Sequence, residues 1–161
     1  MIFGGIDRVT KTAAIDFLGN ENANTLTGTS ADEQFIAGAG NDTLTGGGGA
    51  DVMYGGAGND TFVLNASNVA KLYDTGTSQN IARIDGGTGM DKITLDGGGI
   101  TLDLTAIRSE VIHNVEWLDV TGSGNNSVTL NLNNVVQMSN FNVYNTANNY
   151  DAVSGKEPAG W

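Results

Sequence analysis

Glycine recurs along this chain at a spacing that leaves few folds open. Three consecutive nine-residue units read AGAGNDTLT (Ala37–Thr45), GGGGADVMY (Gly46–Tyr54) and GGAGNDTFV (Gly55–Val63). The sixth position is Asp each time (Asp42, Asp51, Asp60), and the eighth is large and apolar (Leu44, Met53, Phe62). A glycine cluster lets the backbone turn through conformations closed to other residues. The triplet that follows is a minimal strand whose central side chain points inward and whose neighbours point outward. Each unit is therefore a turn plus a short strand. Two units make one coil with a strand on either side, and stacked coils bury the eighth-position residues in two facing rows. A flexible glycine-rich linker would have no reason to keep an apolar residue at every eighth position and a carboxylate two before it.

The frame extends backwards through Gly28–Ile36 (GTSADEQFI), with Glu33 and Phe35 in the marked positions, and Gly19–Thr27 (GNENANTLT), with Asn24 and Leu26. The apolar rhythm survives there while the glycines and the aspartate thin out. Residues 1–18 read as a cap over the first open coil, and 19–63 as the repeat body. After Val63 the frame breaks, and 64–84 is polar and reads as an insertion or loop. Gly86–Thr94 (GGTGMDKIT) then restores the pattern with Asp91 and Ile93. Residues 85–161 comprise this last repeat plus a β-strand region, with alternating segments at Lys92–Asp96, Ile100–Leu104, Val115–Val120, Ser127–Leu132 and Phe141–Asn145. A short helical turn is expected over Asn134–Ser139. In Val115–Val120 either face could be the apolar one, so the side on which Trp117 lies stays open.

The nonapeptide G-G-x-G-x-D-x-U-x is identified as the RTX repeat of secreted bacterial proteins. This resemblance implies an all-β fold: a right-handed parallel β-roll or β-solenoid with Ca²⁺ between turns, continued or capped by a small β region. It also implies the ligands, namely turn carbonyls and sixth-position aspartates, hard oxygen donors that suit Ca²⁺. Carried over residue by residue, these are Gly38, Gly40, Asp42, Gly47, Gly49, Asp51, Gly56, Gly58, Asp60, Gly87, Gly89 and Asp91. Asn24, Asp32, Glu33 and Asp96 are secondary candidates, Asp96 because three glycines follow it. With two units per coil, ligands pair between units two apart. One side should stack Asn24, Asp42 and Asp60, and the other Glu33, Asp51 and Asp91. One ion is expected between Asp42 and Asp60, and another between Asp51 and Asp91. A second resemblance covers Asp85–Ile107 and His113–Ser139, which look like the segment after the last RTX repeats in very large bacterial surface adhesins exported by type I secretion.

Composition narrows the function. Eighteen acidic residues against 7 basic ones give a net charge of −11, which excludes a nucleic-acid partner because phosphate binding needs a basic surface. About four or five Ca²⁺ ions would nearly cancel that charge, so the metal-free chain should repel itself and fold poorly. There is no cysteine, hence no disulfide and no thiolate zinc site. No run reaches membrane-spanning length, and MIFGGIDRVT lacks the features of a secretory signal peptide. The one histidine, His113, has no partner motif, and GxSxG, HExxH and a phosphate loop are all missing. The expected protein is non-enzymatic: a monomeric, calcium-dependent module of a larger extracellular or bacterial cell-surface RTX adhesin. Two alternatives stand beside it. One is a Ca²⁺-dependent peptide- or glycan-binding adhesin domain, using Leu64–Arg83 and the Asn-rich tail from Asn140 to Asn149. The other is the C-terminal roll of an RTX protease, lipase or epimerase.

Overall fold

The computed structural model describes residues 16–73 and 82–131, together with the backbone of a strand at Asn142–Tyr144. Most of the expected N-terminal cap, the helical turn at Asn134–Ser139 and most of the Asn-rich tail lie outside the described residues. The first elements are β1 (Phe17–Leu18), β2 (Thr25–Thr27), β3 (Gln34–Ala39), β4 (Thr43–Thr45), β5 (Val52–Ala57), β6 (Thr61–Leu64) and the helix α1 (Ala66–Lys71). Then follow β7 (Arg83–Thr88), β8 (Lys92–Leu95), β9 (Thr101–Asp103), β10 (Ile112–His113), β11 (Trp117–Asp119), β12 (Ser127–Thr129) and β13 (Asn142–Tyr144).

Successive strands alternate between two parallel sheets. One has the order β1-β3-β5-β7-β10 and the other β13-β11-β8-β6-β4-β2. A third, two-stranded sheet joins β9 to β12, also in parallel. The register places like position on like position: Phe35 opposite Met53, Leu26 opposite Leu44, and Leu44 opposite Phe62. Phe35, Met53 and Ile84 are buried in one row, and Leu44, Phe62, Ile93 and Leu118 in the other. Burial of these side chains is the main apolar driving force holding the coils together. At the first described strand, the ring of Phe17 stacks on Phe35 with centroids 4.6 Å apart.

The turns can stack this closely only because they lack side chains. Gly56 and Gly58 have φ of 114° and 127°. A Cβ on either would run into the carbonyl oxygen of Gly38 or Gly40 on the coil beside it. Glycine is thus required twice over, for the left-handed backbone and for the approach.

The break expected after Val63 is a swollen coil, not a loss of frame. Met53 pairs with Ile84 and Phe62 with Ile93, so the coil-to-coil step grows from 18 residues to 31. Ile84, nine residues before Ile93, fills the eighth position. The extra chain carries α1, whose N-terminus is closed by Asn65. The Asn65 side chain accepts from the amides of Ser67 and Asn68, and the Asn68 side chain accepts from the Asn65 amide. This capping box offsets the unpaired donors of the first turn. Val69 and Leu72 bury the helix against the stack. Further on, Leu118 and Val120 are buried while Trp117 is more exposed, which settles the face left open by the sequence.

Candidate metal centre

The sixth-position side chains form a column that ties each coil to the one before. Asp42 Oδ1 accepts from the Asn24 amide at 2.7 Å, and Asp60 Oδ1 from the Asp42 amide at 2.8 Å. Asp91 Oδ1 accepts from the Asp60 amide at 2.7 Å, and Glu116 Oε2 from the Asp91 amide at 2.8 Å. This corrects the expected pairing of Asp91 with Asp51. The swollen coil counts as a full unit on the opposite side, so Asp91 returns to the side of Asp60. The column therefore runs Asn24, Asp42, Asp60, Asp91, Glu116.

One oxygen of each of these aspartates is pinned, and the other is not. Oδ2 of Asp42, of Asp60 and of Asp91 is buried with no hydrogen-bond partner, in side chains only 1% exposed. An uncompensated buried carboxylate is strongly unfavourable. Burial pushes Asp91 up to about 6, with the Asp60 amide opposing and the charges of Asp60, Glu116 and Asp85 adding to the rise. It also raises Asp60, against the pull of the Asp42 amide.

Asp60 Oδ2 and Asp91 Oδ2 each sit beside the first glycine of their own turn, whereas the Asp42 unit has Ala37 in that position. A Cβ at Gly55 would meet Asp60 Oδ2 and the Gly86 carbonyl oxygen; one at Gly86 would meet Asp91 Oδ2 and the Asn114 carbonyl oxygen. Carboxylate and carbonyl thus flank the same point, in a pocket that any larger residue would fill. The donor set is all oxygen, which is the chemistry of a hard cation. Among the described residues no group of three or more His, Cys, Asp or Glu side chains could hold a metal. One carboxylate per turn is supplied, so the remaining ligands have to be backbone carbonyls.

The other side differs. Asp51 Oδ1 accepts from the Glu33 amide at 2.9 Å, but Asp51 Oδ2 accepts a hydrogen bond from Asn68 Nδ2 at 2.8 Å. Glu33 accepts from the amide and hydroxyl of Thr29. Burial pushes Asp51 up to about 7, the Glu33 amide lowering it and the Glu33 charge raising it. On this side the third coil presents Ala82, not an aspartate, behind the strand opposite Val52.

Residues 27–62 match the family model of the RTX calcium-binding nonapeptide repeat, in 4 copies. That stretch is similar to RTX calcium-binding repeats. The match covers the four units from Gly28 to Val63, offset by one residue. No curated protein matches the chain, and no solved structure does.

The eight expected turn glycines (Gly38, Gly40, Gly47, Gly49, Gly56, Gly58, Gly87 and Gly89) all have positive φ. Asn24 heads the column, but its Oδ1 folds back onto the amide of Asn20. Asp32 stands outside the column, accepting from the Ala50 amide at 2.7 Å. Asp96 is exposed, and the corresponding rung is made by Asn126, whose Oδ1 accepts from the Ile100 amide at 2.9 Å. Sequence reasoning missed Glu116, Asn114 and Asn68. Glu116 was signalled by Glu116-Trp117-Leu118, which repeats the acid–x–apolar order of the units. Asn114, the one non-glycine residue at positive φ among those described (51°), replaces a turn glycine. Nothing local marked Asn68.

Proposed function

We propose that this chain is a non-catalytic, calcium-dependent folding module, a right-handed β-roll, of a secreted or cell-surface RTX adhesin. The observation that carries the reading is the column of buried, unpartnered carboxylate oxygens at Asp42, Asp60 and Asp91, those of Asp60 and Asp91 each against a carbonyl-lined glycine turn. Calcium there would supply the missing partner for each oxygen and draw adjacent coils together. The negative charge that opposes folding in a calcium-poor compartment becomes the ligand set in a calcium-rich one. Such a chain leaves the cytosol by type I secretion unfolded and folds outside. The RTX repeat match supports calcium binding, and the acidic composition supports the coupling of metal to folding. Circular dichroism of the purified chain with calcium and after chelation tests it. The expected result is β signal that appears cooperatively with calcium; a spectrum indifferent to the chelator overturns the reading.

A further inference from the structure

Apart from the Asp42 unit, where Ala37 holds the first position, one turn breaks the oxygen pattern described above. At Gly19, Gly28, Gly55 and Gly86, a Cβ would meet the sixth-position side-chain oxygen of its own unit together with a backbone carbonyl oxygen (of Ala37, Gly46, Gly86 and Asn114 respectively). At Gly46 the same point is flanked by Asp51 Oδ2 at 2.7 Å and by Asn68 Nδ2 at 2.6 Å. A nitrogen donor stands where the other turns present an oxygen acceptor. Asn68 is 3% exposed, and its Nδ2 also lies 3.4 Å from the carbonyl oxygen of Gly49. One amide group therefore faces both kinds of oxygen that would otherwise face a cation.

We propose that Asn68, carried in by the helix of the swollen coil, takes the cation's place at the Asp51 turn. That turn is then closed without calcium, and the ions are confined to the column of Asp42, Asp60 and Asp91. This rests on the calcium reading above. The physical basis is that the amide nitrogen occupies the space beside Asp51 Oδ2 that a cation would fill, and its hydrogens bring there the positive partial charge that the cation would supply. The swollen coil brings no sixth-position aspartate to this side, only Ala82, so a cation at Asp51 would lack the carboxylate that the next coil supplies at Asp60. The capping box holds the amide in orientation: Asn68 Oδ1 accepts from the Asn65 amide at 3.3 Å, which leaves Nδ2 to point at Asp51.

Asn68→Asp tests this, because it keeps an acceptor for the Asn65 amide while replacing the donor with an anion. Calcium bound per chain, counted by equilibrium dialysis of the full chain against calcium chloride, should rise by one ion in the variant. The calcium dependence of folding should steepen with it. An unchanged count in a folded variant overturns the proposal. Should the variant fail to fold, side-chain hydrogen exchange in the calcium-loaded native protein decides. Slow exchange of the Asn68 amide protons supports the assignment, and exchange at the rate of a free amide overturns it. If the native protein binds no calcium, the reading of the preceding subsection fails, and the exchange measurement on the folded chain still reports whether Asn68 holds Asp51.

Discussion

The amide of Asp60 donates to Oδ1 of Asp91 at 2.7 Å although 31 residues separate them. The same bond joins Asp42 to Asp60 at 2.8 Å across 18. The column is thus indifferent to how much chain lies between coils. What it requires is that the carboxylate return to the same height and side. Once there, Oδ1 is used to align the coils, and Oδ2 is left buried without a hydrogen-bond partner among the described residues.

Asp60→Asn should therefore act in opposite directions with and without calcium. The amide oxygen can still accept from the Asp42 amide, while the buried charge disappears. Removing an uncompensated buried charge stabilises the metal-free chain by about 1–3 kcal/mol. With calcium the variant should bind fewer ions and melt below the native protein. Thermal unfolding under both conditions checks this; the same order of melting temperatures in both would contradict it.

Acidification should partly replace calcium. Burial raises Asp51 to about 7 and Asp91 to about 6 in the folded state, from an ordinary 3.8. A carboxylate with a raised folded pKa contributes its full stability below the unfolded value and loses it as pH climbs through the folded one. Metal-stripped protein should accordingly gain β structure as pH falls from about 8 to about 5. Calcium affinity should move the other way, falling as pH drops through the same interval, because protons compete with the ion at Asp91. Circular dichroism and calorimetry across that range would show both trends.

Two glycine substitutions separate backbone strain from steric exclusion. Gly58 has φ of 127° and no room for a Cβ beside the Gly40 carbonyl oxygen, whereas Gly99 has φ of 73° and nothing within 4 Å of a Cβ. Gly99→Ala should cost about 1 kcal/mol, the left-handed penalty alone. Gly58→Ala should cost about 3 kcal/mol or more, since conformation and contact add. Melting temperatures in saturating calcium give the comparison.

Phe62 lies between Leu44 and Ile93 in its row and has no exposed surface. Phe62→Ala should cost about 3–5 kcal/mol through lost transfer energy and the cavity left behind. Leu18, 70% exposed, should change stability by no more than about 0.5 kcal/mol when cut to Ala. Chemical unfolding at fixed calcium measures both.

Much of the stack was legible because its causes are local. Glycine at the turn, Asp at the sixth position and an apolar residue at the eighth each act within nine residues, so Leu44, Met53 and Phe62 could be placed in their rows from spacing alone, whereas Ile93, beyond the insertion, was assigned with Asp91 to the opposite side. Two signals were present but diluted. Ile84 keeps the nine-residue distance to Ile93 without a glycine turn of its own before it, and Glu116 keeps its distance to Leu118 with a longer acid and no glycine. Reading both would have returned Asp91 to the side of Asp60.

Spacing by itself determined that this chain coils, which residues face inward, and that an oxygen-rich ladder runs along the turns. It could do so because a periodic backbone repeats its geometry wherever its sequence repeats. Only the tertiary structure decided which carboxylates share a column, that Asn68 rather than an open gap faces Asp51, and that Glu116 extends the ladder beyond the recognisable repeats. Those outcomes depend on where an interrupted chain comes back into register, a property of packing between distant segments that no single unit encodes.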